Sequence, residues 1–442
     1  MPTRVAAVDL GATSVRVALV DLDADAPTVE IVHRWHHGPE ERHDGSVRWR
    51  WRELLENVAL GLDRALDTGP IASIGVDGWA VDYGLLDEHG RLLSDPHSYR
   101  SPRTSEWRRI ADHIGEAELY RRTGIQLIPI NTIFQLAAHD TAELARARHL
   151  VMLPELVAYE LTGTIAAERT NAATTGLLEL TTTDWATDLC IAAGVDPAIL
   201  PAVVPPGRLL GEHRDTPVHL VASHDTACAF AASPLGISGR AFVSAGTWFL
   251  VGVERGTADV SENARRANFS NELGAAGGFR FLKNVTGFWL IEQCAAQWGT
   301  TARELLEIAA SAPSDAARFD VDDERFLSPV RVDDEVRAAA GLPDDASRAL
   351  VARSIVESVA AAVGRVVGEL RGAQTVDEVV IVGGGAASPL LRERLAEHAG
   401  VRVVAGHPEA TSLGNALLQG MALGRFRKLE DARDWAAANS PS

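Results

Sequence analysis

The chain has 442 residues, with 42 Lys and Arg against 60 Asp and Glu, so its formal net charge is −18. This length is about three times a typical domain and predicts two domains with full cores, while 46% apolar and 23% charged residues argue against wholesale disorder. The acidic balance disfavours a nucleic-acid partner, and since no apolar run reaches the roughly 18 residues of a membrane helix, we expect a soluble cytoplasmic protein without membrane contact.

The first predicted element is a β-hairpin over Arg4–Asp23, in which two apolar, β-branched runs flank the turn DLGATS at Asp9–Ser14. A carboxylate closes the first strand, and the small residues after it let backbone N–H groups approach an anion, with the Thr13 and Ser14 hydroxyls as further donors. A glycine turn is also an ordinary way to close a hairpin, so the motif alone leaves a phosphate-binding and a structural interpretation open.

Helix and strand patterns alternate after this hairpin. Apolar residues at helical spacing predict a helix over Arg52–Leu66, and the sequence of Ile71–Leu86 returns to strand character. The segment Ser101–Leu180 is predicted to be mostly helical with loops. This alternation favours a layered α/β fold.

The motif ASHDT at Ala222–Thr226 places Asp225 beside His224 just before the second half of the chain. A carboxylate there could accept a proton from a substrate hydroxyl as that oxygen attacks a γ-phosphate. The alternative is structural, because Asp is a preferred N-cap residue and Asp225 precedes the helix-like stretch TACAFAAS.

The second half begins as the first does, with a strand, turn and strand over Gly239–Glu254 whose turn is SAGTW at Ser244–Trp248. An amphipathic helix is predicted over Ser354–Leu370, followed by the strand and glycines VVIVGGG at Val379–Gly385 and a helix near Leu390–His398. The three glycines leave a surface without side chains on which a purine or ribose could lie. Two halves that open alike suggest a duplication with a cleft between them.

Several common signatures are absent from the sequence. It has no G-x-x-x-x-G-K-[ST], H-E-x-x-H or G-x-S-x-G motif, which disfavours Walker-type ATPases and the common hydrolases. Its three cysteines, Cys190, Cys228 and Cys294, are too scattered for a disulfide framework or a metal knuckle, so we expect buried thiols.

The motifs DLGATSVR, SAGTW, ASHDT and VGGGAASPL together resemble those of the FGGY carbohydrate kinases. The blocks IGVDGWAVDYGLLD, TGIQLIPINTIFQL, VMLPELVAYELTG, TNAATT, LKNVTGFWL and VVAGHPEATSLGNALLQG extend the resemblance, in the family's order, over nearly the whole chain. The resemblance implies two duplicated ribonuclease-H-like domains of the actin and sugar-kinase superfamily around a central cleft. Residues 1–232 would form the sugar-binding domain, with the catalytic base near its end, and residues 233–442 the nucleotide-binding domain.

The resemblance also implies ATP-dependent, Mg²⁺-assisted phosphorylation of a ketose, and its blocks favour L-rhamnulose, at the 1-hydroxyl. Asp225 would be the catalytic base, and Asp9 would help to hold Mg²⁺ through water. The implied substrate-binding residues are His224, Thr226, Trp79, Ala80, Asp82 and Asn284. The implied nucleotide-binding residues are Ala12, Thr13, Ser14, Val15, Arg16, Gly246, Thr247, Glu292, Gly383, Gly384 and Gly385.

Four positions depart from the pattern of the family members that act on L-rhamnulose. Val15, Ala80, Ser101 and Glu292 stand where these members commonly have Gly, Gly, Asp and Gln. A lost partner for a sugar hydroxyl discriminates strongly between sugars, so a kinase of L-fuculose or of a pentulose stays open as an alternative. A sugar-sensing regulator or an ATPase on the same fold is a further alternative, although the sequence has no basic helix-turn-helix segment. The oligomeric state is left open.

Overall fold

The structure, a computed structural model, describes residues 3–235, 239–327, 329 and 331–437. It divides into two compact units. The first consists of Met1–Pro234, Arg255–Phe281 and Ala410–Ser442, and the second of Leu235–Glu254 and Leu282–Glu409. Within the described residues, no helix combines the length and apolar character needed to cross a membrane.

The strands are β1 (Arg4–Leu10), β2 (Ser14–Asp21), β3 (Val29–His36), β4 (Glu40–Glu41), β5 (Val47–Arg48), β6 (Ser73–Gly78), β7 (Tyr83–Leu86), β8 (His149–Met152), β9 (Ala167–Glu168), β10 (Leu178–Glu179), β11 (Asp184–Trp185), β12 (Val203–Val204), β13 (Leu209–His213), β14 (Thr216–His219), β15 (Arg240–Ala245), β16 (Trp248–Arg255), β17 (Ser270–Leu273), β18 (Phe279–Thr286), β19 (Glu378–Val382) and β20 (Arg402–Ala405).

The helices are α1 (Trp51–Asp67), α2 (Trp107–Ile114), α3 (Glu116–Thr123), α4 (Thr132–Ala137), α5 (Thr141–Arg146), α6 (Leu153–Thr162), α7 (Arg169–Ala172), α8 (Thr187–Ala192), α9 (Asp225–Ala232), α10 (Glu262–Arg266), α11 (Trp289–Trp298), α12 (Ala302–Ala309), α13 (Val332–Ala340), α14 (Arg348–Ala373), α15 (Pro389–Ala399), α16 (Ala410–Ala422) and α17 (Leu429–Ala437).

A six-stranded sheet with the order β13-β14-β6-β1-β2-β3 forms the centre of the first unit. β1 and β2 pair antiparallel as the predicted hairpin, and β6 pairs parallel with β1. β1, β2 and β6 are almost entirely buried, because α1 packs against β2 and α16 packs against β1, β6 and α9. A parallel strand covered by helices reads as a continuous apolar run, as β1 and β6 do.

The second unit repeats this arrangement with β15 and β16 as its antiparallel hairpin and β19 parallel to β15. β20 continues the sheet in parallel beside β19, and the order within the unit is β18-β16-β15-β19-β20. The helix α14 packs against α12 and α15, which confirms a helix over the predicted residues. Residues 351–360 are all buried, Ile355, Val356 and Val359 completely, so the expectation of a single buried face is wrong for this part of the helix. Each unit therefore opens with a hairpin followed in space by a parallel strand, as the predicted duplication requires.

The other predicted elements are also present. α1 covers the predicted helix at residues 52–66, and the segment 101–180 holds α2 to α7 between loops. All three cysteines are free and buried, which confirms the expectation of buried thiols.

Candidate active site

The turn between β1 and β2 holds a buried carboxylate. Asp9 has 1% of its surface exposed and pairs with Arg16, whose Nη2 lies 2.9 Å from Asp9 Oδ2. The turn is closed by reciprocal backbone hydrogen bonds between Gly11 and Ser14, of 3.0 and 3.2 Å. A Cβ at position 11 would lie 2.8 Å from the Ser14 carbonyl oxygen, so this turn needs glycine.

The predicted phosphate-binding residues of this turn differ in exposure. Ala12 and Thr13 are half-buried in the bend, whereas Ser14 is 8% exposed and Val15 is fully buried. The Val15 side chain belongs to the core, so only its peptide group could face a ligand.

A second buried carboxylate lies beside Asp9. Asp77 of β6 is its partner in the parallel register and is fully buried. Burial, followed by the charge of Asp9 and then that of Asp225, raises the pKa of Asp77 well above its usual range. The amide of Asn415 on α16 lowers that pKa, since its Nδ2 donates to Asp77 Oδ2 over 2.6 Å. Asp9, Asp77 and Asp225 thus form one electrostatic cluster.

Asp225 is the most exposed member of this cluster, with 27% of its side chain accessible. It is the first residue of α9, and the Thr226 backbone N–H and hydroxyl both donate to its Oδ1. The N-cap position is occupied by His224, whose side chain makes no capping hydrogen bond. Asp225 is therefore not the N-cap residue that the structural alternative requires, although its carboxylate does engage the first turn of the helix.

The preceding residue, His224, is 5% exposed and lies in a charged cluster. Its Nε2 is 3.4 Å from Asp225 Oδ1, and its Nδ1 is 3.2 Å from both terminal nitrogens of Arg280. Arg280 in turn pairs with Glu272 over 3.0 Å, and both side chains are at most 3% exposed. His224 thus lies between the buried Arg280–Glu272 ion pair and the half-buried carboxylate of Asp225.

Two further buried carboxylates lie behind Ser223, the residue before His224. The Ser223 hydroxyl donates to Glu155 over 2.6 Å, and its backbone N–H donates to Glu168 over 3.0 Å. Burial raises the pKa of both carboxyls, that of Glu168 to about 7. This segment is anchored to β6, because Gly78 N–H donates to the Ser223 carbonyl over 2.9 Å.

The block Trp79–Asp82 forms an aromatic cluster around a buried carboxylate. Asp82 Oδ2 accepts hydrogen bonds from the indole N–H groups of Trp49 and Trp79, at 2.7 and 3.0 Å, and Oδ1 accepts from Gln135 at 3.0 Å. Burial raises the pKa of Asp82 to about 6. Asp82 is completely buried and Trp79 is 5% exposed, while Ala80 is half-buried. In this conformation the Asp82 carboxylate orients two tryptophans.

The second unit brings its own set of predicted residues together. The carbonyls of Gly246 and Thr247 accept from the N–H groups of Phe288 and Trp289 at the start of α11. The Thr247 hydroxyl lies 3.4 Å from Glu292 Oε2 in the first turn of that helix. This contact joins two predicted nucleotide-binding residues.

The triple glycine lies next to this turn. β19 ends at Val382 beside Ser244 of β15, and a Cβ at Gly383 or Gly385 would lie 3.0 or 2.7 Å from atoms of Ala245. Gly384 is exposed, and a Cβ there would meet no atom within 4 Å. The predicted residue Asn284 lies half-buried on β18 of the same unit.

Sequence reasoning missed the buried polar partners of the predicted residues, namely Asp77, Glu155, Glu168, Glu272, Arg280 and Asn415. A usable signal existed for two of them. Asp77 interrupts the apolar strand IGVDG and Arg280 interrupts the apolar run FRFL, and a charged residue within a buried strand pattern is rarely there without a partner. The partner's identity depends on strand pairing across long sequence separations.

The comparisons with known proteins agree over nearly the whole chain. The model of the FGGY family of carbohydrate kinases, N-terminal domain, matches residues 5–222, and that of its C-terminal domain matches residues 241–423. Rhamnulokinase from Klebsiella pneumoniae strain 342 is 38% identical over 454 residues, which cover 98% of this chain and 92% of the relative. The rhamnulokinase of a second strain is 37% identical over the same shares.

Two solved structures from Lactobacillus acidophilus share the fold. A gluconate kinase superposes with a TM-score of 0.79 at 17% identity, and a xylulose kinase with 0.78 at 17% identity. Each comparison covers 98% of this chain and 92% of the other. The predicted fold class, with two ribonuclease-H-like α/β domains, is confirmed.

Proposed function

The chain belongs to the FGGY family of carbohydrate kinases, and from that premise we propose that it transfers the γ-phosphate of ATP to the 1-hydroxyl of L-rhamnulose. The observation that carries this proposal is the half-buried carboxylate of Asp225 clustered with Asp9 and Asp77. The sugar is inferred from the rhamnulokinases, which are 37% and 38% identical to this chain over 98% of its length.

In this proposal Asp225 accepts the proton of the attacking hydroxyl. Both donors of Thr226 engage Oδ1, and the nearest His224 nitrogen also lies on the Oδ1 side, so Oδ2 is the oxygen left for the substrate. A carboxylate is a weak base for an alcohol until the oxygen has begun to bond to phosphorus. Asp225 therefore orients the hydroxyl first and receives its proton late, in a direct in-line transfer without a covalent enzyme intermediate.

The first turn fits a divalent cation. Carboxylate oxygens are the ligands that Mg²⁺ prefers, and Asp77 Oδ1 is buried without a hydrogen-bond partner among the described residues. Asp9, at the strand end beside it, is the residue proposed to hold the ion, through water. A bound Mg²⁺ would supply positive charge that offsets the charge of the ATP phosphates during transfer. The backbone N–H groups of Ala12 and Thr13 and the guanidinium of Arg16 are proposed to contact the phosphates.

Residues of the second unit are also proposed to bind nucleotide. Gly246 and Gly384 are both exposed on neighbouring strand ends, which leaves open backbone there for the phosphates and for the adenosine. Thr247 is half-buried and presents a hydroxyl at the same edge. Asn284 is proposed to face the sugar or the nucleotide.

A kinase of L-fuculose or of a pentulose is the alternative that particular residues favour. Ala80 adds a methyl group to the block predicted to contact sugar, and Ser101 is only 6% exposed and lacks the carboxylate of other family members. Both changes affect the selectivity for the sugar and leave the phosphoryl-transfer residues unchanged.

The test is coupled ADP release on a panel of ketoses that contains L-rhamnulose, L-fuculose, L-ribulose and D-xylulose, with product regiochemistry read by phosphorus NMR. We expect the highest kcat/KM for L-rhamnulose and a 1-phosphate product. A higher kcat/KM for another ketose would replace the sugar and retain the kinase mechanism. If no ketose stimulates ADP release above the hydrolysis of ATP alone, the proposed function is wrong.

A further inference from the structure

The buried side chain of Arg280 is engaged on every side. Its Nε donates to the Leu273 carbonyl over 3.2 Å, and its Nη2 pairs with Glu272 Oε2 over 3.0 Å. Both terminal nitrogens lie 3.2 Å from His224 Nδ1. With 1% of its side chain exposed, this guanidinium is one of the largest fully buried groups in the described chain.

The guanidinium determines where the neutral His224 ring carries its proton. Arginine has five N–H donors and no acceptor, so a ring nitrogen that faces it must offer a lone pair. The neutral imidazole has one donor and one acceptor nitrogen, and with Nδ1 accepting, the proton lies on Nε2. This nitrogen is the one 3.4 Å from Asp225 Oδ1.

We propose that Arg280 is a positioning residue for phosphoryl transfer: it holds His224 in the Nε2–H tautomer, so that the ring nitrogen 3.4 Å from Asp225 Oδ1 carries a proton and not a lone pair. This inference rests on the proposed function of Asp225 as the base. The two Thr226 hydrogen bonds hold Oδ1, and the positive end of the nearby Nε2–H group favours negative charge at that oxygen, which leaves Oδ2 to the sugar hydroxyl. Arg280 itself acts only through His224.

Glu272 supplies the charge balance for this arrangement. Its Oε2 lies 3.4 Å from His224 Nδ1 and would compete for the ring proton if Arg280 were absent. With Arg280 in place, Oε2 forms an ion pair with the guanidinium over 3.0 Å, while Nδ1 lies at hydrogen-bond distance from both terminal nitrogens of the same guanidinium. Removal of Arg280 alone would leave Glu272 buried without its counter-ion. The Glu272 carboxylate would then favour the Nδ1–H tautomer of His224, because it could accept a hydrogen bond from Nδ1.

The first experiment reads the tautomer in the free enzyme by ¹⁵N NMR of histidine-labelled protein, with the His224 signals assigned by their loss in His224→Gln. We expect a protonated Nε2 and an unprotonated Nδ1 in the wild type. In Arg280→Met/Glu272→Met, which removes both buried charges together, we expect a mixture of tautomers. A wild-type ring protonated at Nδ1, or a tautomer unchanged in the double variant, would overturn the inference.

The second experiment measures steady-state kinetics of the same double variant. We expect kcat to fall about 10- to 100-fold, a typical loss when a group that orients a functional side chain is removed, with the KM for ATP within about twofold of wild type. Arg280→Lys keeps a positive donor near Nδ1 and should recover part of both the tautomer and kcat. It also keeps the test available if the double variant does not fold.

The matched control is Arg353→Met/Glu357→Met in the second unit. That pair is also buried, with side chains 6% and 3% exposed and 2.8 Å apart, but it lies within α14. This variant should lose stability and keep kcat. An equal fall of kcat in both double variants would show that loss of a buried ion pair alone explains the effect, and would contradict the inference.

The two proposals fail in distinguishable ways. If no ketose is phosphorylated, the proposed function is wrong, while the tautomer spectrum still reports whether Arg280 orients His224. If Asp225→Asn abolishes turnover but the Arg280 variants keep wild-type kcat, the catalytic base stands and the positioning role of Arg280 is refuted.

Discussion

The two hairpin turns share a backbone frame and differ in charge. Asp9 and Ser244 each lie two residues before the turn glycine and beside a parallel strand. The parallel partner of Asp9 is Asp77, whereas the partner of Ser244 is Val382. The same backbone arrangement therefore places two neighbouring carboxylates beside the turn in the first unit and only uncharged side chains at the matching positions in the second.

The two turns also differ in their tolerance of a side chain. The first turn leaves four residues between the paired residues Leu10 and Val15, and the second leaves three between Ala245 and Phe249. A Cβ at Gly11 would clash with a backbone oxygen at 2.8 Å, whereas one at Gly246 would make an ordinary contact of 3.6 Å. Glycine is therefore a steric requirement in the first turn, whereas the second turn has space for a side chain at position 246.

The largest effect on kcat is expected from substitution of Asp225, because this residue of the first unit is the proposed catalytic base. Asp225→Asn should lower kcat about 1000-fold, the scale of a general-base contribution, while the unfolding midpoint changes little. The matched control is Asp431→Asn, a carboxylate in the first turn of α17. Sugar-dependent ADP release that stays near the wild-type level in Asp225→Asn would contradict the assignment.

The second effect compares the equivalent positions Asp9 and Ser244. Asp9→Asn should raise the Mg²⁺ concentration for half-maximal activity about 10- to 100-fold, because the carboxylate proposed to orient the waters of the ion is lost. Ser244→Ala should leave the Mg²⁺ dependence unchanged. If both variants titrate with Mg²⁺ alike, the difference in charge between the turns has no role in metal binding.

The third effect concerns the glycines of the second unit. Gly246→Ala and Gly384→Ala meet no steric barrier, so a raised KM for ATP in them reports contact with nucleotide. We expect about a fivefold increase for each, the scale of one hydrogen bond, with the KM for sugar unchanged. Gly11→Ala should instead lose stability, as its backbone clash demands. An unchanged KM for ATP in both second-unit variants would show that Gly246 and Gly384 do not contact the nucleotide.

Much of the fold, and the difference in charge between the two hairpin turns, can be predicted from the sequence, because both depend on local sequence patterns. The hairpins, the helix α14 and the acidic residue before Gly11 follow from periodicity and turn chemistry. The pairing of Asp77 with Asn415, 338 residues away, does not, because it depends on α16 returning to the first sheet. The contact of Arg280 with His224 is hidden for the same reason. Sequence patterns identify residues at the ends of strands, but they do not identify the distant residues that form hydrogen bonds with them.

The smallest expected effect is on the pH dependence of stability, which differs between a buried carboxylate of the first unit, Glu168, and one of the second, Glu357. Burial raises the pKa of Glu168 to about 7 from an unfolded value near 4.5, so the folded state keeps a proton that the unfolded state has lost. Its contribution to stability must fall as pH rises from 4.5 towards 7. For Glu357, burial is outweighed by hydrogen bonds from His398 and Arg353 and by the charge of Arg394, which lower its pKa. That contribution is present at neutral pH and is lost in acid.

Thermal unfolding as a function of pH separates these two cases. Glu168→Gln should flatten the decline between pH 5 and 7 by on the order of 1 kcal/mol, because a neutral amide has no proton to lose. Glu357→Gln should be destabilised at pH 7, with a deficit that shrinks in acid. Parallel pH profiles for the two variants would show that the carboxylates of the first unit are ionised like that of the second. The buried carboxylates Glu155 and Glu168 behind Ser223 would then be negatively charged at neutral pH. Their charge would make the nearby Asp225 carboxylate a stronger base.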